Sequence, residues 1–501
     1  MLIVSRRRRA HAGWLRAVPL LALTATLCAC KTQAPYASVP LAAPAAWSVA
    51  ATTDAAPAIA QWWTRLNDPA IDALAEAVLA GNPTLQQALA RIDEADANLR
   101  LAAAQRLPAL QANLGGSRAR TADGGQPAYA TGGTLGLALS WEVDLFGRVR
   151  GAVDSARYRL NARHADADAA SLSLAARVAD TVLAARGCRF AQAVLSDDVA
   201  SRALTLKLTG QQLTAGALAA VDEARARASL ANARTLLASR EQQCSGHINA
   251  LAALSGRGAD AIDALLDGPL RRPPSATPSI PAILPRYAQW LMPVAPDYGL
   301  ALPASVLARH PAVRAADAEL AAAWSDIGVM RAERLPRLDL GAALSGQWLR
   351  AAGSDGGTRS NGVWSLAPNL TLPLFDNGRG AAGVAASQAR YRQAEASLQT
   401  AVRDAARDVE NALAARRSAE VRLATTRAAV DAAQTVFDTT DAMWRAGAAS
   451  LFVLEDARRQ LAAAQNDAIS AAQDGSQAWV ALVLACGHFP SNDESNNNET
   501  L

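Results

Sequence analysis

Apolar and polar positions alternate over four stretches of this chain. In the second stretch Leu135, Leu137, Leu139, Trp141 and Val143 alternate with Gly136, Ala138, Ser140, Glu142 and Asp144. In the fourth, Trp364, Leu366, Leu370, Leu372 and Leu374 share a face opposite Ser365, Ala367, Asn369 and Thr371. The first and third (Leu110/Ala112/Leu114 and Leu338/Leu340/Ala342/Leu344) alternate more weakly. A period of two predicts strands, over about 108–121, 130–145, 336–350 and 360–375. Between them, Asp123-Gly124-Gly125 and Ser354-Asp355-Gly356-Gly357 read as solvent-exposed turns. Strands of ten residues or more are long enough for a transmembrane barrel, with apolar side chains on lipid and polar ones on a lumen. A soluble antiparallel sheet with one buried face carries the same signature, so the alternation alone leaves both readings open.

The helical segments beside the strands are unusually long. From Arg148 to about Leu208, and from Arg379 to about Arg445, there is no proline. Sixty-odd residues at 1.5 Å each make a rod of roughly 90–100 Å. Such rods belong to coiled coils and helical tubes, not to a compact domain. Each turns at a glycine, Gly216 or Gly447, and returns as a helix of about 35–40 residues. Past residue 29 no run of 18 apolar residues occurs, so any crossing of a bilayer must use strands.

The whole pattern occurs twice. Asn82-Pro83 leads to Leu107-Pro108-Ala109-Leu110 as His310-Pro311 leads to Leu335-Pro336-Arg337-Leu338, 228 residues later. Leu145-Phe146 matches Leu374-Phe375, Ala156-Arg157-Tyr158-Arg159 matches Ala389-Arg390-Tyr391-Arg392, and Ala215-Gly216-Ala217 matches Ala446-Gly447-Ala448. Ordered landmarks at a nearly constant offset mean a duplication. The division that follows is a first repeat at 30–302 and a second at 303–501, with long helical hairpins at about 147–255 and 378–487. Two strand hairpins give four strands, whereas a transmembrane barrel needs at least eight. Strands that span lipid must therefore close their edges by oligomerisation.

Composition supports the rods. The chain is 51% hydrophobic but only 5% aromatic, so alanine supplies much of the apolar share and lets helices approach closely. The formal net charge of +4 does not imply a nucleic-acid partner. Residues 1–29 hold Arg6, Arg7, Arg8, Arg9, Arg16 and no acid, and without them the chain carries −1. That basic start and the apolar run from Ala17 to Ala29 form a signal-peptide pattern. Leu27-Cys28-Ala29-Cys30 resembles a bacterial lipobox, which implies cleavage before Cys30 and lipid attached to it; an ordinary secretory signal is the alternative. Lys31 follows where an Asp would favour inner-membrane retention, so outer-membrane sorting is expected.

Cys188 and Cys244 stand 28 residues either side of Gly216. Residues equidistant from the turn of an antiparallel hairpin lie at one height, so a disulfide is expected in an oxidising compartment; two free thiols on faces that do not meet are the alternative. His11, His164, His247, His310 and His488 show no ligand spacing. No nucleophile elbow or phosphate loop occurs. The reading is of a protein that is not an enzyme, with no metal and no cofactor beyond the covalent lipid on Cys30.

These landmarks together resemble the outer membrane factors, the TolC-like channels, in the lipoprotein branch that serves resistance-nodulation-division pumps and includes NodT-like proteins. The residues that carry the resemblance are Cys30, Trp62-Trp63 with Asp68-Pro69, Asn82-Pro83 before Ala90-Arg91-Ile92, the paired Leu-Pro-x-Leu segments, Asp144-Leu145-Phe146-Gly147-Arg148 and Pro373-Leu374-Phe375. The resemblance implies a mainly α protein with a transmembrane β-barrel: a homotrimer of twelve strands and a helical tube in the periplasm. It implies an equatorial belt drawn from 256–302 and the tail 488–501. It implies a passive exit duct for small molecules, partnered by a periplasmic adaptor protein, an inner-membrane pump and outer-membrane lipid. By the same resemblance Asp222, Arg445, Glu455 and Asp456 lie at a periplasmic aperture, with Val453 where the family commonly has Asp. Carboxylates there would favour cations; the alternative is that they solvate helix starts. A lipid-anchored coiled-coil scaffold without a pore, or a type I secretion duct, would share much of the pattern.

Overall fold

A computed structural model of the chain describes residues 34–40, 43–49, 61–123, 126–267, 303–352 and 358–487. The signal segment 1–29, Cys30, residues 268–302 and the tail 488–501 lie outside the described residues. A short 3-10 turn, Trp62–Leu66, precedes α1 (Pro69–Gly81) and α2 (Pro83–Ala104). Strands β1 (Ala109–Asp123) and β2 (Gln126–Val143) follow, then α3 (Arg148–Thr214), α4 (Ala220–Ser255) and α5 (Ala259–Asp267). The second repeat runs α6 (Pro303–Arg309), α7 (Pro311–Ala332), β3 (Arg337–Ala352), β4 (Thr358–Thr371), α8 (Arg379–Arg445) and α9 (Leu451–Cys486). The protein is mainly helical with four antiparallel strands, as the patterning predicts.

The duplication is kept to the residue in the rods. Helices α3 and α8 each have 67 residues, and α4 and α9 each have 36. All four start and end 231 positions apart.

Element ends differ from the sequence expectation for local reasons. Strand β2 begins at Gln126 because its ladder with β1 continues to the turn, through Asp123↔Gln126, although Gln126 to Ala130 shows no alternation. Strand β4 stops at Thr371, not 375, because Pro373 has no N–H for a ladder. Strand β2 stops at Val143 because Asp144 caps the next helix. Its carboxylate accepts the backbone N–H of Val149 and Arg150 at 3.2 and 2.8 Å, and Gly147 makes the turn at φ +80°. In the second repeat Asp376 accepts from Gly378 and Gly380 at 2.9 and 2.7 Å, which holds its carboxyl below the ordinary range, and Gly378 turns at φ +84°.

The chain divides into two compact units. The first holds the described residues within 34–40, 91–164 and 315–398. Its helices are tied by Arg159–Asp326 at 2.5 Å and Arg163–Glu319 at 2.7 Å. The segment at 34–36 is pinned to them: Trp324 Nε1 donates to the Ala34 carbonyl at 3.0 Å, and the Tyr36 hydroxyl to Asp317 at 2.6 Å.

The second unit holds the described residues within 43–90, 165–314 and 399–487. Its core joins Trp62, Trp63, Leu66, Ile71 and Leu74 to Val182, Leu183 and Phe190 of α3, Ile262 and Leu266 of α5, and Trp479 and Val483 of α9. Within it Asp68 caps α1 through the Ala70 N–H and accepts two bonds from Arg186, at 2.5 and 2.7 Å. Both side chains are buried. Arg186 also donates to the Leu266 carbonyl at 3.2 Å, so one guanidinium ties α1, α3 and α5.

Candidate functional site

The strand register sorts the sheet into two faces. Order is β1-β2-β3-β4, antiparallel throughout, with β1 and β4 at open edges. Directly paired residues point the same way. Leu110↔Leu139, Ala112↔Leu137, Leu114↔Leu135, Leu137↔Leu344, Trp141↔Leu340, Leu344↔Trp364, Ala342↔Leu366 and Leu338↔Leu370 therefore form one continuous apolar face. The opposite face carries Gln111, Asn113, Thr134, Ser140, Ser345, Gln347, Ser365 and Asn369. In the single chain the apolar face is bare: Leu114 is 85% and Trp364 78% exposed. A face this greasy, largely exposed and backed by a polar one, suits lipid on one side and water on the other. Among the described residues no helix is long and apolar enough to cross a membrane.

Glycine makes room where the face needs it. A Cβ on Gly133 would come 2.5 Å from Nε1 of Trp348, whose indole therefore lies across β2. At the other end of the sheet Trp141 Nε1 donates to the Arg106 carbonyl at 3.0 Å. There the opposite face ends in ion pairs, Arg148 with Glu142 at 2.7 Å and Arg337 with Asp339 at 2.8 Å.

At the far ends of the rods both turns use one motif. Ala217 N–H bonds the Gln212 carbonyl at 2.9 Å around Gly216 (φ +73°), and Ala448 N–H bonds the Met443 carbonyl at 2.8 Å around Gly447 (φ +75°). A left-handed residue here favours glycine. Leu454 and Leu451 pack inward with Ala226, Leu206, Phe437 and Trp444, while Phe452, Val453 and Val221 stay exposed.

The four residues expected at an aperture separate into two groups. Asp222 pairs with Arg225 at 3.3 Å, Arg445 with Asp441 at 2.7 Å, and Asp456 with Arg459 at 2.8 Å, all at the surface of the chain. Glu455 does not join them. It is buried, with Arg202 at 2.5 Å, Arg458 at 2.6 Å and the Ser229 hydroxyl at 2.5 Å. Arg202 also holds Asp198 at 2.9 Å and Ser229; Arg458 donates to Thr205 at 3.3 Å and lies 5.8 Å from the centre of the Phe437 ring. Burial pulls the Arg458 guanidinium down from its ordinary pKa. In the single chain Glu455 is therefore held within the helix pack, apart from the three surface residues. Its position faces the helix pack, where two arginines and Asp198 balance it, and it ties α3, α4 and α9. An i,i+4 Asp198–Arg202 pair and an i,i+3 Glu455–Arg458 pair are visible in the sequence, yet nothing there says that they meet.

Cys188 and Cys244 are joined in a disulfide with Cα atoms 5.5 Å apart, between α3 and α4. Cys486 is buried. Cys30 lies outside the described residues. Among the described residues no group of three His, Cys, Asp or Glu is placed to hold a metal ion.

A hairpin sheet with one continuous apolar face and a duplicated pair of rod-length helical hairpins define the class of outer-membrane channel proteins. Residues 74–257 and 302–488 match the model of the outer membrane efflux protein family, and the chain belongs to that family. It is 31% identical over 484 residues to the pyoverdine export outer membrane protein OpmQ of Pseudomonas aeruginosa, covering 94% of this chain and 97% of OpmQ. It is 28% identical over 440 residues to nodulation protein T of Rhizobium leguminosarum bv. trifolii, covering 86% and 88%. Among solved structures, the outer-membrane channel OprN superposes with a TM-score of 0.76 at 25% identity, over 91% of this chain and 99% of OprN. The open-state MtrE channel of Neisseria gonorrhoeae gives 0.71 at 26%, over 91% and 96%. The protein is an outer-membrane efflux component, and its family is one of channels, not of enzymes.

Proposed function

We propose that three copies of this chain close one twelve-stranded barrel and one helical tube, forming the passive exit duct of a tripartite efflux system for small molecules. The observation that carries this is the sheet. Its apolar face suits lipid, yet β1 and β4 leave unpaired edges, and in hydrocarbon each unsatisfied backbone group costs several kcal/mol. Antiparallel pairing of β4 with β1 of the next copy removes both edges. The exposed Phe452, Val453 and Val221 at the turns suit an adaptor protein, which would link the duct to an inner-membrane pump. Asp456 and Val453 lie three positions apart on α9, so one ring of each would line the aperture, with Asp222 and Arg445 beside it. The duct performs no catalytic step.

The test is reconstitution of the full chain in planar bilayers with its mass measured in detergent. Discrete conductance steps from a species of three chains are expected. A monomer that inserts without conducting would overturn the reading and favour a lipid-anchored scaffold.

Lipidation of Cys30 belongs to the same reading. Ala34 and Tyr36 are pinned to α7 and α3, and four residues of chain reach at most ~14 Å. Intact-mass analysis should show cleavage before Cys30 and added acyl chains, both lost in Cys30→Ala; an unmodified N-terminus at another residue would exclude the anchor.

A further inference from the structure

The apolar face of the sheet changes character towards the hairpin tips. Thr131 of β2 pairs with Arg118 of β1 on one side and Arg350 of β3 on the other, so both arginines point to the apolar side. Neighbouring strands lie ~4.8 Å apart, which sets Arg118 and Arg350 roughly 10 Å from each other. Arg120 follows two residues further along β1, opposite Tyr129. The Arg118 guanidinium sits 5.5 Å from the centre of the Tyr129 ring. All three arginines are exposed.

Their height is set by the aromatic residues. Trp348 precedes Arg350 by one outward position, and Trp141 marks the opposite end of the same face. From Trp141 to Thr131 is ten residues, about 34 Å of strand, and a strand tilted ~40° raises that by about 25 Å, the height of an outer-membrane apolar band. The arginines thus stand just past the aromatic rim, on the side away from the helices.

Among the described residues no acid faces them. At the helix-side end of the sheet, charges come as the pairs Arg148–Glu142 and Arg337–Asp339. Among the described strand residues the outward face carries no carboxylate, and no described ion pair involves Arg118, Arg120 or Arg350. Three guanidiniums clustered in this way repel one another unless an anion lies among them. A planar guanidinium matches phosphate oxygens in bidentate fashion and stacks on a tyrosine ring at no loss.

We propose that Arg118, Arg120 and Arg350, with Tyr129 and Thr131, form a binding site for the phosphate groups of the phosphorylated glycolipid in the outer leaflet. The site would anchor the barrel in depth and order the lipid collar around it. This rests on the reading above that the strands span the membrane with the apolar face outward.

The experiment uses the full chain in detergent, with hexa-acyl lipid A carrying two phosphates and the same lipid with both removed, each titrated by native mass spectrometry. A surface arginine contributes about fivefold to binding an anionic lipid. The wild type should therefore prefer the phosphorylated lipid by about a hundredfold, and R118Q/R120Q/R350Q should abolish the preference. Arg359→Gln, near the same tips but on the opposite face, should leave it intact. Equal binding of both lipids by the wild type, or an unchanged preference in the triple variant, would overturn the site. Conductance of the same samples separates the two readings. A wild-type chain that conducts but ignores phosphate overturns the lipid site alone; one that neither inserts nor conducts overturns both.

Discussion

The two helical hairpins are twins in length and turn, yet different interactions hold them. Both consist of 67 and 36 residues around a left-handed glycine. At matched positions the first has Cys188 and Cys244 where the second has Ala419 and Gly475. The second has Glu455 and Ser450 where the first has Ala224 and Ala219. The first hairpin is closed covalently along its length, whereas a buried carboxylate near the second turn docks α9 onto α3 and α4 of the first. The backbone of a duplicated unit is set by features both copies keep, glycine turns and helix lengths, and the side chains that lock it diverge freely.

The strongest way to break this comparison is at Glu455. Replacing it by Ala leaves Arg202 and Arg458 buried beside Asp198 alone, and removing one side of a buried ion network costs about 3–5 kcal/mol. Thermal unfolding in detergent should show Glu455→Ala well below wild type. The fourfold change Glu455→Leu, Arg202→Leu, Arg458→Met and Asp198→Ala should recover much of the loss, because apolar groups replace such networks at little cost when no charge of the network is left behind. If Glu455→Ala left the melting temperature unchanged, the keyed-turn account would be wrong. The corresponding Ala224, on the other hairpin, should tolerate Ser with almost no effect.

Next in size is the covalent tie. Loss of the 188–244 bond through paired Cys→Ala changes should cost about 4 kcal/mol, from a closed loop of this length. The second hairpin offers the sharper test. A Cβ on Gly475 would lie 3.8 Å from the Ala419 Cβ, a separation that suits a disulfide. Ala419→Cys with Gly475→Cys should form a second bridge, seen as a mass loss of two hydrogens and resistance to alkylation. Free thiols in that variant would mean that the two hairpins are not superimposable at this height.

A third contrast is titratable. Asp180 on α3 has Asn411 as its counterpart on α8. Burial pushes the Asp180 carboxyl up to about 6, and its Oδ1 finds no hydrogen-bond partner among the described residues. A folded pKa above the unfolded value of ~3.9 means that the charged form is disfavoured in the fold. Stability is then full at low pH and falls as pH rises through about 6, by roughly 3 kcal/mol at most. Asp180→Asn, which copies the second repeat, should melt higher than wild type at pH 8 and equally at pH 4. A gain of the same size at both values would assign the effect to packing instead of charge.

The strands, the rods and their turns were legible because each has a period or a breaker that the duplication shows twice. The apolar face of the sheet followed from alternation such as Leu135–Val143, and its open edges from counting four strands. The inward turn of Glu455 was not legible. On α9 it shares a face with Leu451, Leu454 and Leu461, but Phe452 and Val453 offer a rival apolar face at the helix start, and an acid there reads as solvated. The Asp68–Arg186 tie joins residues 118 positions apart, and only the Asp-Pro cap signal was local. Arg118, Arg120 and Arg350 fell within strands whose apolar residues dominated the pattern, and their common face depends on a register no single strand reveals.

The smallest contrast lies in the helix caps, and it tests whether the hairpins are independent. Ser450 caps α9 by accepting the Val453 N–H at 3.4 Å, whereas Ala219 gives α4 no side-chain cap. Helix α4 instead places Asp222 and Glu223 in its first turn, where the dipole favours acids, and α9 has no acid there. Ser450→Ala should cost about 1 kcal/mol, and Ala219→Ser should add a similar amount. The acids already present reduce what a new cap contributes, so the gain at 219 should fall short of the loss at 450. The two changes share no hydrogen bond, yet Ala226 packs with Leu451 and Leu454 and Ser229 bonds Glu455, so a departure from additivity beyond about 0.5 kcal/mol measures the coupling of the turns. Hydrogen exchange at the two turns reads each cap separately. A Ser450→Ala change that altered protection around Asp222 as well would show that the turns open together, and the divergence of their locks would then belong to one cooperative tip.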